Sequence, residues 1–171
     1  SSREGRNITV QRCIISEALN IANHAKYQPG KGHSFAASIS GNVGSFHHNL
    51  LANCTGRNWS LAGGLDRTGK QLAGRLDIRN NVVYNWRDRT TDGGVLGLYF
   101  VNNFYLPGPA RKTFTLLKPD PGDPERQCLV ACLNCASGLH DVLRLKRRNQ
   151  SRAINAKAGQ FFYREFNEDF L

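Results

Sequence analysis

Leu76-Asp77-Ile78-Arg79-Asn80-Asn81-Val82-Val83 alternates apolar and polar residues, breaks at two asparagines, and resumes with two valines. Alternation of this kind reads as a half-buried strand, and an Asn pair reads as a sharp turn. The same pattern occurs three more times. It is found in Ile8-Thr9-Val10-Gln11-Arg12-Cys13-Ile14-Ile15, in Gly44-Ser45-Phe46-His47-His48-Asn49-Leu50-Leu51, and in Leu98-Tyr99-Phe100-Val101-Asn102-Asn103-Phe104-Tyr105. The sixth position holds Cys13, Asn49, Asn81 and Asn103, at intervals of 36, 32 and 22 residues. A recurring unit with loops of variable length fits a solenoid of short parallel strands.

Val10, Phe46, Ile78 and Phe100 then stack into one apolar core, and a column of Asn side chains bonds from one coil to the next. Asn also tolerates the left-handed backbone that a tight bend needs. Ser34-Phe35-Ala36-Ala37-Ser38-Ile39 alternates as well and supplies another face of a coil. The fold class expected is all-β, a parallel β-helix; on pattern alone a β-sandwich of short strands is the alternative.

Outside the repeat the chain changes character. Residues 1–106 hold the coils, and 107–126, with Pro107, Pro109, Pro119, Pro121 and Pro124, read as an extended surface connection. Residues 127–171 are expected to be helical or disordered. Cys128, Cys132 and Cys135 read C-x3-C-x2-C, but no fourth Cys or His stands at zinc-ligand spacing beyond them; His140 is the nearest further donor, and incidental thiols are the simpler reading.

The 171 residues carry a formal net charge of +10, with 23 Lys+Arg against 13 Asp+Glu. That balance favours a polyanionic partner. No stretch approaches the roughly 18 apolar residues of a membrane span, and Ser1–Arg6 holds no apolar core of a secretory signal. The basic run Arg144, Lys146, Arg147 and Arg148 lacks the aromatic platforms of a nucleic-acid module. Neither a nucleic-acid nor a membrane partner is expected, and a monomer is.

Asn7 to Asn20 with His24-Ala25-Lys26, Ser45 to Ala52 with Arg57-Asn58, Asp77 to Trp86, and Phe100 to Ala110 resemble, in order, the pectate lyases of the right-handed parallel β-helix superfamily. The likeness covers roughly residues 3–125. It implies a right-handed β-helix, here a fragment lacking N-terminal coils. It also implies a secreted enzyme that cleaves α-1,4-polygalacturonate by removing the C5 proton and eliminating the 4-linked sugar.

On this resemblance Arg57 is the catalytic base and Lys26 binds a substrate carboxylate. Ca²⁺ is the implied cofactor, with its ligands unidentified; Glu17 is given no metal role. Relatives carry an Arg-Asn-Pro-Arg type block where this chain reads Arg57-Asn58-Trp59-Ser60. The second Arg is therefore missing, and an inactive fragment or a non-catalytic module that binds acidic polysaccharide is the alternative function. His47 and His48, adjacent on a strand, are expected to point one inward and one outward in structural roles.

Overall fold

The computed structural model describes residues 5–21, 25, 27–61, 73–112 and 115–120 in full, and 128–132 and 135–136 as backbone. Among them are twelve strands and no helix. They are β1 (Ile8–Gln11), β2 (Ile14–Ser16), β3 (Val43–His47), β4 (Leu50–Ala52), β5 (Ala73–Arg79) and β6 (Val82–Tyr84), followed by β7 (Thr91–Gly93), β8 (Val95–Val101), β9 (Phe104–Leu106), β10 (Leu117–Pro119), β11 (Cys128–Cys132) and β12 (Cys135–Ala136).

Every pairing is parallel. One sheet runs β1-β3-β5-β8-β11 and a second runs β2-β4-β6-β9-β12, so each unit gives one strand to each sheet. A third, narrower face joins β7 to β10 and continues through the bridges Phe35↔Gly56, Ser38↔Ser60 and Ser60↔Asp92. The alternating Ser34–Ile39 segment thus joins this third face.

The first two sheets meet at a two-residue turn. Its first residue, Arg12, His48, Asn80 or Asn102, is left-handed, with φ between 52° and 56°. Its second residue builds the ladder. Asn49 Oδ1 accepts from the Cys13 N–H at 3.0 Å, Asn81 Oδ1 from the Asn49 N–H at 3.0 Å, and Asn103 Oδ1 from the Asn81 N–H at 3.1 Å. The amide groups of Asn49, Asn81 and Asn103 donate to the carbonyls of Val10, Phe46 and Ile78. Each buried Asn thereby satisfies the backbone that a sharp bend would otherwise leave unpaired.

The core lies between the faces. Register aligns Val10, Phe46, Ile78 and Phe100, the inward positions expected from the alternation. The last three are at most 1% exposed, whereas Val10 is half-buried. Leu51, Val83 and Tyr105 form the matching column of the second sheet, and Trp59 and Trp86 fill the space toward the third face. Gly44 occupies the inward column of Ile8, Leu76 and Leu98 because a Cβ there would come within 2.6 Å of the Phe46 ring.

Three expectations are corrected. Leu116 and Leu117 are buried, and β10 pairs with β7, so the Pro-rich 107–126 segment is not simply a surface connection. Pro119 closes β10, where its missing N–H is tolerated. Residues 127–171 were expected to be helical or disordered, yet Cys128–Cys132 and Cys135–Ala136 extend both main sheets. Leu133-Asn134 between them matches Asn102-Asn103 in length, so the repeat runs one unit further than the apolar composition suggests. The remaining tail lies outside the described residues. Finally, neither His47 nor His48 points into the core: β3 ends at His47, and His48 takes the left-handed turn position, where its Nδ1 lies 2.8 Å from that of His47.

Candidate functional site

Arg57 stands on the third face, one residue past the bridge that Gly56 makes with Phe35. Its backbone is left-handed, at φ 53°. This conformation turns the chain before Asn58 and Trp59 enter the interior, both 1% exposed. Asn58 fixes the turn from below: its N–H donates to the Thr90 carbonyl at 3.0 Å and its side-chain amide to the Arg89 carbonyl at 3.1 Å.

The Arg57 guanidinium lies over the Phe35 ring, 4.4 Å from its centre, and Nη1 donates to Ser38 Oγ at 3.0 Å. Its Nε–H is buried with no partner among the described residues. Burial foremost, and then the charge of Arg89, push Arg57 below the ordinary arginine range; Tyr27 and Asp92 oppose this. Loss of solvation and a like charge both disfavour the cation.

Arg89 sits on the next unit. Ser60 bridges Asp92, which brings Arg57 level with Arg89 across the face. Asp92 holds Arg89 in a fork, with Nε to Oδ2 at 2.6 Å and Nη2 to Oδ1 at 2.7 Å. These hydrogen bonds push Arg89 upward, above the ordinary range. The Arg89 guanidinium also lies over Phe35, 5.9 Å from its centre. Two adjacent arginines therefore differ in character: one is destabilised as a cation and the other is locked as one.

An aromatic strip continues the site. Phe35 packs on His33 at 4.5 Å, and His33 on Tyr27 at 4.6 Å, with Lys31 over the Tyr27 ring. Aromatic faces beside cations suit a ligand that carries both ring C–H surfaces and negative charge.

Of the two residues expected from sequence, Arg57 is placed as described, and Lys26 lies outside the described residues. Phe35, Ser38, Arg89 and Asp92 were missed. One signal could have found Arg89: it follows Arg57 by 32 residues, the interval that separates Asn49 from Asn81. The altered block is also explained. Trp59 is a core residue and Ser60 a bridging one, so neither offers a cation in place of the absent second Arg.

A hard cation such as Ca²⁺ needs six to eight oxygen ligands. The described residues bring together no group of three or more His, Cys, Asp or Glu. Asp92 has both oxygens on Arg89, Asp77 is paired with Arg79, and Glu17 accepts from Asn53. These described residues do not fit a calcium site. The side chains of Cys128, Cys132 and Cys135 lie outside the described residues; Cys13 and Cys54 are free thiols, and burial pushes Cys54 upward. Compared with family models and with curated proteins, the chain matches none.

Proposed function

We propose that this protein is a pectate lyase-like β-helix protein, its strands wound as a right-handed parallel solenoid, acting on α-1,4-polygalacturonate. The observation that carries the reading is the Arg57 environment. An arginine serves as a base only if its cation is disfavoured, and Arg57 is half-buried, holds a buried Nε–H without a partner among the described residues and faces a locked positive charge. Neutral Arg57 would take the C5 proton beside the uronate carboxylate. The C5–H electron pair forms the C4=C5 bond, the C4–O4 bond breaks, and the departing oxygen takes a proton from solvent. The parallel strand ladders and the Asn column support the solenoid winding.

The reading is tested with polygalacturonate and added Ca²⁺ at alkaline pH, following the ultraviolet absorbance of the unsaturated product. Product that disappears in Arg57→Lys is the expected result. A wild-type chain that gives none under these conditions overturns the enzymatic reading.

One observation favours the second reading, a non-catalytic module that binds acidic polysaccharide. Among the described residues, Glu17, Asp77, Asp88 and Asp92 are engaged with cations or an amide rather than grouped for a metal. Retention on immobilised pectate without product formation would select it.

A further inference from the structure

We propose that Arg89, forked by Asp92 and sharing the Phe35 ring with Arg57, is a second carboxylate-binding residue of this site. It would contact a uronate carboxylate one strand spacing away from Arg57. The proposal deepens the acidic-polysaccharide reading given above and rests on it.

Four features of the site converge on Arg89. A guanidinium has five N–H donors. Asp92 takes two of Arg89's, and the others have no protein partner among the described residues. The side chain is 41% exposed, so those donors reach solvent. The fork removes the freedom by which a long side chain would swing away from a neighbouring cation, so Arg89 stays beside Arg57 despite their repulsion. Pre-organised, unsatisfied donors on the Arg89 guanidinium, held level with Arg57, suit a planar anion.

The backbone is also shaped for this placement. A Cβ on Gly56 would stand 3.0 Å from Arg89 Cβ, so glycine at 56 lets the Arg89 stem lie against the turn that carries Arg57. Neighbouring parallel strands are about 4.8 Å apart, which sets the spacing of the two backbone segments that carry Arg57 and Arg89. A polyuronate presents its carboxylates in series along a chain, so one can meet Arg89 while a neighbouring uronate presents its C5–H to Arg57.

The experiment is calorimetric titration of the full chain with tetragalacturonate and, separately, with its methyl ester, using wild type, Arg89→Gln, Arg89→Lys and Gly56→Ala. Wild type should prefer the acid. Arg89→Gln should lose about 10-fold or more of affinity for the acid and little for the ester, the scale of one charge-assisted contact. Arg89→Lys keeps the charge but not the fork and should fall between. Gly56→Ala keeps every charge and tests placement alone, and it serves as the deciding variant should Arg89→Gln fail to fold. It should also lose acid preference.

Unchanged acid affinity in a folded Arg89→Gln, or wild type that binds ester and acid alike, overturns the proposal. If Arg89→Gln weakens binding while wild type yields no unsaturated product, the proposal stands and the lyase chemistry fails. If wild type turns over but Arg89→Gln leaves Kd and KM unmoved, the lyase reading stands and this proposal fails.

Discussion

Asn81 and Asn80 are neighbours with opposite duties, and substitution should separate them. Asn81 is 1% exposed, accepts from the backbone and side chain of Asn49, and donates to Phe46. Asn81→Ala leaves several buried polar groups unpaired at about 1–3 kcal/mol each, so a loss of roughly 3 kcal/mol or more is expected in denaturant unfolding. Asn80 is half-buried and left-handed. Asn80→Gly should be close to neutral, whereas Asn80→Val should cost about 1–2 kcal/mol.

Arg57 gives the pH prediction. A cation whose pKa is lowered by folding carries its burial cost in full below the folded pKa. That cost is relieved as pH rises through it, because the unfolded chain then holds the extra proton. Stability should therefore gain from Arg57 on the alkaline side, and turnover, if it depends on neutral Arg57, should climb in the same direction. Removing the Arg89 charge takes away one cause of the lowering. The rising limb of kcat against pH, at saturating substrate, should move to higher pH in Arg89→Gln; a limb that moves lower, or stays, would break the link between the two arginines. Arg57→Lys should abolish turnover and spare binding, since the charge remains and the planar geometry goes. Lys26→Ala should weaken both.

At the scale of the element, each unit is a strand, a left-handed turn and a second strand, and the sheets repeat that unit in register. A second turn column follows the same logic: Glu17, Asn53 and Asn85 all have φ between 51° and 54°, and Asn85 donates to Asn53 at 2.8 Å. Gly108 lies so close above Asn85 that a Cβ would sit 2.2 Å from its Oδ1, so Gly108→Ala should displace the Ala110 N–H that Asn85 accepts. In the core, Ile78 lies between Phe46 and Phe100 on neighbouring strands. Ile78→Ala should cost about 2–5 kcal/mol in unfolding free energy, because stacked strands cannot collapse into the gap independently. Thr9→Ala, on the outward side of β1, should cost far less.

At the scale of the whole molecule, a charge of +10 acts on any polyanion before contact. Affinity for polygalacturonate should fall steeply as ionic strength rises from about 0.01 to 0.1 M, over which the screening length contracts from about 30 to 10 Å. Titration at several salt concentrations checks this. A salt-insensitive affinity would mean that stacking on Tyr27, His33 and Phe35 outweighs charge. The long-range field belongs to the whole surface and the fork at Arg89 to one contact, so Arg89→Gln should lower affinity with only a small change in salt slope.

The all-β class, the parallel units and the Asn ladder were legible in the sequence because they are local and periodic. Alternation at Leu76–Arg79 specifies a strand, and an asparagine that recurs at the same place in each unit specifies the bend. The β11–β12 unit was obscured because its first strand, Cys128-Leu129-Val130-Ala131-Cys132, is apolar throughout and shows no alternation. The site was legible only in part. Arg57 stood out through a resemblance, but the burial that disfavours its charge, the Phe35 ring beneath it and the Arg89–Asp92 fork beside it come from three different units. Their distances in sequence vary with loop length, and no pattern within one unit encodes them. Only the stacking of the units in space decides which arginine faces which, and therefore which is destabilised as a cation and which is locked as one.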